Sequence, residues 1–478
     1  MLLFILLVTG ILWVTSLGLI FLFLKQRIRK WKALQNGLED RISIGLFHPF
    51  CNSGSGRERV LWVALKCLQT RYPDSQFVVY TGDTNASPEE VFASIKDRFN
   101  IVLPDSIELV YLHKRKWVEP INYKVFTLLG QSLGSMYLGL EALMKFVPDV
   151  YIDTSGYAFT LPLFKYLGNC RVGCYVHCPT ITTDMLHRVS LYRSEQPYLH
   201  QQPRPTSSSN KFIMSTIRVL YNKFFSLLYR WAGNCSDVVM VNSSWTEEQI
   251  HQIWQCPSKT YKVFPPCDVQ EFKSVSKKED NDENSSIKIV SVAPFRPEKD
   301  HPLQIRTMYQ LREILREDEW NRLRLVIVGS CRNQEDEARV QDMEDLCKHL
   351  SVEENVQFRV SISYEDLKHE LSDALIGMHT TWNEQFGIGV VESMSAGLIM
   401  VANRSGGPLM DIIMEYDGSR NGFLATDEND YAEAIRTIIL MTPESREVIR
   451  EQATASVDRF SERQFTKAFL EAVQSLLR

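Results

Sequence analysis

Eleven short apolar runs recur along the chain between longer stretches of helical pattern. They are RISIGLF, FVVYTGD, IELVYL, VYIDTS, RVGCYVH and VVMVNSS in the first part, then KIVSVAPF, LRLVIVG, VQFRVSI, ALIGMHT and LIMVANRSGG. Buried strands that alternate with helices in this way form parallel sheets covered by helices on both faces. We therefore predict an α/β fold with doubly wound sheets.

A polar segment, KSVSKKEDNDENSS, separates two sets of these runs and shows no apolar periodicity. We predict a linker over 273–286 between two doubly wound domains, over 40–272 and 287–455. Residues 456–478 are expected to form a C-terminal helix that packs back on the first domain. Because open α/β sheets bind ligands beyond the carboxyl ends of their strands, we expect the two domains to face a cleft that holds the active site.

Charge and cysteine content exclude several classes of function. The 478 residues include 53 basic and 58 acidic side chains, a net charge of −5, so no general positive field is available to hold a nucleic acid. Ten cysteines without a CxxC pair favour a reducing compartment over a disulfide scaffold. Cys170, Cys174 and Cys178 lie close to His177, but RVGCYVHC is typical of a buried strand, which favours core cysteines over a metal site.

The first 32 residues are predicted to anchor the chain in a membrane. Leu2–Leu24 contains no charged side chain and, as a helix, would reach across the roughly 30 Å core of a bilayer. Five basic residues follow within 25–32, and the positive-inside tendency places that flank in the cytosol. Five Asn-x-Ser triplets would instead suit a luminal chain. The basic flank outweighs them, so we expect a single span with the remaining chain cytosolic.

Two later stretches are also apolar. Residues 126–147 include Gln131, Glu141 and Lys145, which favours a buried or interfacial helix over a second span. Residues 211–231 mix aromatic and aliphatic side chains with four basic ones. That composition suits a helix in a headgroup layer and equally suits an ordinary amphipathic core helix.

The segment EQFGIGVVESMSAG, from Glu384 to Gly397, carries the strongest functional signal. It follows a predicted strand and is expected to turn into a helix over Val390–Ala396. Backbone N–H groups at such a helix start can hold a phosphate. We expect Glu384, before the helix, to bind sugar hydroxyls and Glu392, inside it, to bind a ribose, with a diphosphate between them.

Two cations follow a predicted strand in VAPFRPEKDH. Arg296 and Lys299 come directly after KIVSVAPF, at the carboxyl end of that strand. A guanidinium supplies paired donors and an ammonium supplies a compact charge. This pair is therefore predicted to neutralise a leaving diphosphate.

Two further features lie at strand ends of the first domain. In HPFCNSGSGRERVLW, Gly54 and Gly56 permit close approach of the backbone to a phosphate or sugar. The loop lacks the third glycine of a dinucleotide fingerprint and Asp83 comes late for the ribose role, so a nicotinamide oxidoreductase is the weaker hypothesis. His177 closes another strand, where a neutral imidazole is expected to donate to a sugar hydroxyl or to developing charge.

Taken together, the GSG loop, RPEK and the two acids with seven residues between them in EQFGIGVVE resemble the retaining glycosyltransferases of family four. The resemblance implies a GT-B arrangement of two Rossmann-like domains, a nucleotide sugar bound mainly by the second domain, and no metal or other cofactor. It also implies that Glu384 contacts the transferred sugar and Glu392 the ribose. Phe386, Gly387, Ile388 and Gly389 would approach the sugar and diphosphate, with Arg296 and Lys299 on the leaving group and His177 near the donor sugar.

Further segments, among them FTLLGQSLGSMYLGLEAL, HCPTITTDML and DVVMVNSSWT, are similar to one branch of that family. The likeness to this branch implies GDP-mannose as donor and a dolichol diphosphate-linked trimannosyl chitobiose as acceptor, extended by two successive mannoses for protein N-glycosylation. It also implies work on the cytosolic face of the endoplasmic reticulum membrane, beside other mannosyltransferases. A related lipid-directed enzyme with another nucleotide sugar and a silent membrane-tethered scaffold are the alternatives.

Overall fold

The structure is a computed structural model that describes residues 2–36, 41–54, 56–103, 107–185, 208–274, 286–416 and 418–478. Within these ranges, side chains are described for every residue except 2–14, 17, 36, 208–216 and 218. The chain divides into two compact units. Unit 1 comprises Met1–Asn242, Thr246–Val263 and Thr466–Arg478, and unit 2 comprises Ser243–Trp245 and Phe264–Phe465. Most of the predicted linker 273–286 lies outside the described residues.

Unit 1 is built on a seven-stranded sheet in the order β3-β2-β1-β4-β5-β6-β7, with every pair parallel. The strands are β1 (Ser43–Phe47), β2 (Gln76–Thr81), β3 (Ile107–Tyr111), β4 (Val150–Asp153), β5 (Arg171–Val176), β6 (Val238–Val241) and β7 (Thr260–Lys262). The first six coincide with the six apolar runs of the first part, so those predicted strands are confirmed.

Helices connect these strands and cover the sheet. They are α1 (Leu2–Asn36), α2 (Gly56–Arg71), α3 (Pro88–Phe99), α4 (Thr127–Lys145), α5 (Leu161–Tyr166), α6 (Ser208–Asn234) and α7 (Ser244–Trp254). The core of unit 1 is rich in aromatic side chains, with the rings of Tyr151 and Phe164 stacked at 3.5 Å. Gly45 in β1 makes room for this packing, because a Cβ there would lie 2.9 Å from the ring of Tyr80.

The second half of α1 packs on unit 1. Ile28 is buried in the core, and the ammonium of Lys32 pairs with Asp149 at 2.9 Å and donates to the carbonyl of Pro148 at 3.0 Å. Among the described residues, no helix has both the length and the apolar character that crossing a membrane requires. The span over Leu2–Leu24 stays a prediction.

Unit 2 contains a six-stranded parallel sheet in the order β10-β9-β8-β11-β12-β15 and a short antiparallel pair, β13-β14. The strands are β8 (Ile287–Val292), β9 (Leu323–Gly329), β10 (Val356–Val360), β11 (Ile376–His379), β12 (Ile399–Asn403), β13 (Glu415–Tyr416), β14 (Ser419–Arg420) and β15 (Phe423–Ala425). The five predicted strands of this part are confirmed as β8 to β12.

The helices of unit 2 surround its sheet. They are α8 (Val269–Lys273), α9 (His301–Ile314), α10 (Glu317–Arg322), α11 (Gln334–His349), α12 (Tyr364–Ser372), α13 (Ile388–Ser395), α14 (Glu428–Leu440) and α15 (Pro443–Ser456). The last helix, α16 (Glu462–Leu477), begins in unit 2 and ends in unit 1. There Leu476 packs over Gly173 of β5, and Arg171 donates to the carbonyl of Arg478 at 2.5 Å.

The cysteines of the RVGCYVHC segment lie in the core of unit 1. Cys170 and Cys174 are buried, and burial raises the pKa of Cys170 to about 12 and that of Cys174 further. Both thiols therefore stay protonated at neutral pH. Cys178, after the end of β5, is half-buried.

Each sheet reverses its strand order at one place. In unit 1 this switch point lies between β1 and β4, and in unit 2 it lies between β8 and β11. Open α/β sheets bind ligands beyond the carboxyl ends of the strands that flank such a point. The loops after β1, β4, β8 and β11 are therefore where functional side chains are expected.

Candidate active site

The switch point of unit 2 carries a cation and a carboxylate in direct contact. Lys299 lies in the loop after β8 and Glu384 lies in the loop after β11. The Lys299 ammonium donates to Oε2 of Glu384 at 2.5 Å, and each side chain is only 17% exposed. The structure thus brings together two of the predicted site residues that are 85 positions apart in sequence.

A histidine completes this group. Nε2 of His379, the last residue of β11, lies 3.5 Å from the same oxygen of Glu384. Burial alone would raise the pKa of Glu384, but the hydrogen bond from His379 and the charge of Lys299 lower it to about 2. Both donors share Oε2, and within the part of the chain that the structure describes no hydrogen bond reaches Oε1. The carboxylate is therefore ionised, with one oxygen held and the other available.

The loop that carries Lys299 is braced by its own backbone. Residues Pro297–Lys299 form a 3-10 turn, in which the carbonyl of Arg296 accepts from the Lys299 N–H at 3.1 Å. The carbonyl of Lys299 accepts from the hydroxyl of Thr380 at 2.7 Å, which ties this loop to the end of β11. Arg296 is half-buried at the start of the same turn.

The loop from Glu384 to Gly387 is fixed by close packing. Gly407 N–H donates to the Glu384 carbonyl at 2.8 Å, and a Cβ at Gly406 would lie 2.2 Å from that oxygen. The ring of Phe386 is buried against Phe264 and Phe460. This packing leaves little freedom to the backbone on either side of Glu384.

The helix after this loop begins beside the end of β8. Gly387 caps α13 with a φ of +108°, a left-handed conformation that glycine adopts without strain. A Cβ at Gly389 would lie 3.7 Å from the carbonyl of Val292, so the helix start lies close to the carboxyl end of that strand. The helix begins at Ile388, two residues earlier than predicted, because Gly387 provides the turn. Glu392 lies in the second turn of α13 and is half-buried.

In unit 1, His177 lies just beyond β5 and is held by a backbone carbonyl. Its Nε2 lies 3.0 Å from the carbonyl of Thr154, which can only accept, so Nε2 carries the proton. Burial, with the charges of Arg57 and His48, lowers its pKa to about 3. The neutral ring therefore offers Nδ1 as an acceptor for a hydroxyl proton, whereas the sequence suggested a donor.

Gly54 and Gly56 lie in the loop between β1 and α2. Gly54 has a φ of +77°, and Gly56 is the first residue of α2. The loop is supported by Asp83, which accepts from the Asn52 N–H at 3.0 Å and pairs with Arg115. Asp83, the acid considered for a nicotinamide ribose, is thus engaged inside unit 1.

Two features near the switch points were missed from the sequence. The sequence analysis assigned His379 to a strand and gave it no functional role. Its position as the last residue before the loop that carries Glu384 could have marked it as a site residue. In unit 1, His48 follows β1 and its ring contacts Glu58 at 3.2 Å and the hydroxyl of Thr154 at 2.9 Å. Within the described residues, no group of three or more His, Cys, Asp or Glu is arranged to hold a metal ion.

We expect Glu384→Gln to reduce the acid sensitivity of unit 2. The pKa of Glu384 lies below its ordinary 4.5, so its ionised form stabilises the fold above about pH 5 and this contribution is lost as the pH falls toward 2. Between pH 7 and pH 4 the unmutated chain should lose about 1 kcal/mol more unfolding free energy than the variant. Denaturant titrations at both pH values measure this difference. Glu313→Gln, at an exposed glutamate of α9, is the matched control, and an equal pH dependence for the Glu384 variant and the unmutated chain would contradict the assignment.

Two family models match most of the chain. Residues 41–254 match the family described as ALG11 mannosyltransferase N-terminus, and residues 272–456 match glycosyl transferases group 1. The second match includes Lys299, Glu384 and Glu392.

Several curated relatives share one name, GDP-Man:Man(3)GlcNAc(2)-PP-Dol alpha-1,2-mannosyltransferase. The protein from Xenopus laevis is 46% identical over 476 residues, covering 97% of this chain and 96% of its own length. The human protein is 46% identical over 458 residues, with 95% and 91% covered. The Caenorhabditis elegans protein is 38% identical over 438 residues, with 91% of each covered.

Solved structures show the same fold at low sequence identity. A glycosyltransferase from Rickettsia africae matches with a TM-score of 0.60 and 13% identity, covering 92% of this chain and 100% of its own. The Anabaena protein HepE, solved with UDP and glucose, matches with a TM-score of 0.59 and 16% identity, covering 91% and 100%. The predicted GT-B fold, with two Rossmann-like parallel sheets, is confirmed. The chain is a glycosyltransferase that belongs to the family of GDP-Man:Man(3)GlcNAc(2)-PP-Dol alpha-1,2-mannosyltransferases.

Proposed function

We propose that this chain transfers mannose from GDP-mannose to a dolichol diphosphate-linked trimannosyl chitobiose and forms α-1,2 linkages with retention at the anomeric carbon. The observation that carries the proposal is the half-buried contact between Lys299 and Glu384 at the switch point of the unit 2 sheet. The names of its curated relatives supply the donor and the acceptor. The family resemblance further implies that two mannoses are added in succession for N-glycosylation.

The residues of unit 2 match the demands of a nucleotide sugar. A departing GDP develops negative charge on its diphosphate, which Lys299, Arg296 and the N–H groups at the start of α13 would stabilise. Oε1 of Glu384 would accept from a hydroxyl of the mannose, and Glu392 would accept from the ribose. Low exposure of the Lys299–Glu384 pair strengthens these electrostatic effects, because less water screens the charges.

For retention, we favour attack from the face that GDP leaves, with a diphosphate oxygen taking the proton of the acceptor hydroxyl. The alternative is a covalent intermediate on Glu384. A carboxylate with a pKa of about 2 and two donors on one oxygen is a weak nucleophile. Its charge is better suited to orienting the mannose than to attacking the anomeric carbon.

Two alternatives are not favoured. One is a related enzyme that uses another nucleotide sugar, and the other is a scaffold that catalyses no reaction. The motifs bind ribose and diphosphate without regard to base, but the curated relatives at 46% identity share the GDP-mannose name. A silent scaffold has no chemical need for an intact Lys299, Glu384 and Glu392.

We also propose that the chain works at the cytosolic face of the endoplasmic reticulum membrane, beside other mannosyltransferases of the same route. The uncharged run Leu2–Leu24 and its basic flank support an anchor. A second support is the exposed apolar face of α6, formed by Leu220, Phe224, Leu227 and Trp231, each between 52 and 64% exposed. The opposite face of α6 packs in the core through Phe225 and Tyr229, so the helix has apolar side chains on both sides.

Such an outward apolar face on a helix is typical of contact with a partner or a lipid surface. Lys223 and Arg230 are exposed on the same helix and suit an anionic headgroup layer. The exposed face of α6 would hold unit 1 against the membrane in which the dolichol acceptor lies.

We expect transfer of radiolabelled mannose from GDP-mannose to the trimannosyl chitobiose diphospholipid in the presence of a chelator. Lys299→Ala and Glu384→Ala should each lower kcat/KM at least a hundredfold, because each removes a charge that acts on the reacting groups. Lys348→Ala and Glu313→Ala, at exposed helix positions, are the matched controls. The product should lose its new mannoses to an α-1,2-mannosidase. Absence of transfer by the folded, unmutated chain would overturn the assignment of donor and acceptor.

Replacing Leu220, Phe224 and Leu227 together by serine should lower kcat/KM about tenfold or more for an acceptor embedded in vesicles. Turnover of a water-soluble short-chain diphospholipid with the same glycan should stay within twofold, because the active site is unchanged. Leu440→Ser with Val448→Ser, at exposed positions of unit 2, is the control. Equal losses with both acceptors would refute the membrane role of this face.

A further inference from the structure

The polar contacts of Glu384 are distributed unevenly between its two carboxylate oxygens. Lys299 Nζ and His379 Nε2 both contact Oε2, at 2.5 and 3.5 Å, whereas Oε1 receives no hydrogen bond from the described residues. A carboxylate held through one oxygen presents the other in a defined direction. The protein thus sets the orientation of Glu384 before any ligand arrives.

His379 is itself held in place from several directions. It is the last residue of β11, its ring is largely buried, and its carbonyl accepts from the hydroxyl of Tyr431 at 2.7 Å. The next residue, Thr380, donates to the Lys299 carbonyl and accepts from Gln304 at 2.9 Å. The backbone that carries the imidazole is therefore tied to the lysine loop, and the buried Nδ1 of the ring has no hydrogen-bond partner among the described residues.

A bound nucleotide sugar would affect Lys299 and His379 differently. In the proposed reaction the diphosphate brings negative charge to Lys299, so the ammonium would be shared between the ligand and Glu384. His379 lies at the end of a buried strand, and its Nε2 lies 3.5 Å from the carboxylate with no ligand required. Once the nucleotide sugar is bound, the contact with His379 is the one that keeps the orientation of Glu384.

We propose that His379 is a positioning residue, which fixes Oε2 of Glu384 so that Oε1 faces the transferred sugar. This inference rests on the proposed function and adds a residue to it. His379 does not touch the substrate. It acts through Glu384, and its contribution is specific to the sugar portion of the donor.

The test compares His379→Gln with His379→Leu in the full-length enzyme. The Gln amide can replace the Nε2 donor, whereas Leu removes it at similar size. For His379→Leu we expect kcat/KM for GDP-mannose to fall roughly ten- to hundredfold, the range for losing a hydrogen bond to a charged group. His379→Gln should recover most of that loss. The affinity for GDP, which lacks the sugar, should stay within twofold in both variants.

Two further measurements separate positioning from a structural role. In a Glu384→Gln background, adding His379→Leu should change kcat/KM less than threefold, because the oriented carboxylate is already gone. His369→Leu, at an exposed histidine of α12, is the control for the substitution itself. Thermal unfolding of each variant reports on the fold.

The possible outcomes are distinguishable. Weakened GDP binding in His379→Leu, failure of Gln to rescue, or an undiminished loss in the Glu384→Gln background would each overturn the positioning role. If the unmutated enzyme binds no GDP and transfers no mannose, the proposed function itself fails. Such a result would be separate from any effect at His379.

Discussion

The ion pair between Lys299 and Glu384 is the interaction on which the site in unit 2 depends. Removing two charges from water costs several kcal/mol per ion, and only close contact and further hydrogen bonds offset that cost. Here the lysine contacts the carboxylate at 2.5 Å and His379 adds a second donor. A carboxylate whose pKa is lowered to about 2 by a specific cation partner, as that of Glu384 is, marks a candidate functional site.

The parallel sheet explains how this pair forms. Strands β8 and β11 are neighbours at the switch point, so the loops at their carboxyl ends emerge at the same edge. One loop supplies Lys299 and the other supplies Glu384, and Thr380 joins the two through the Lys299 carbonyl. The start of α13 lies next to the end of β8, which adds backbone N–H groups to the same place. In the proposed site, a diphosphate would therefore meet donors from two segments, the loop after β8 and the start of α13.

Unit 1 uses its own switch point in a related way. His48, after β1, connects Glu58 of α2 to Thr154, after β4, and the carbonyl of Thr154 holds His177. These contacts among four buried polar residues fix the orientation of the His177 imidazole. In unit 1 a backbone carbonyl thus orients an imidazole, whereas in unit 2 side chains orient a carboxylate.

Much of this arrangement was predictable from the sequence, for identifiable reasons. Strands buried on both faces appear as continuous apolar runs, which is why β1 to β6 and β8 to β12 were found. β7 was missed because Thr260–Lys262 is short and partly exposed, and β15, over Phe423–Ala425, because three residues carry too little pattern.

Lys299 and Glu384 were predicted separately from their places after strands. Their contact was not, because β9 and β10 intervene in sequence, and the strand order that makes β8 and β11 neighbours is a property of the tertiary fold. The hydrogen-bonding direction of His177 likewise depends on a carbonyl 23 residues away.

Titration of the enzyme with GDP and with GMP, before and after Lys299→Met, tests most directly whether the lysine of this pair neutralises the diphosphate. If it does, the variant should bind GDP at least tenfold more weakly than the unmutated enzyme, while GMP, which lacks the second phosphate, should bind both equally. Unchanged GDP affinity in a folded Lys299→Met variant would contradict the account, because the ammonium would then have no contact with the leaving group.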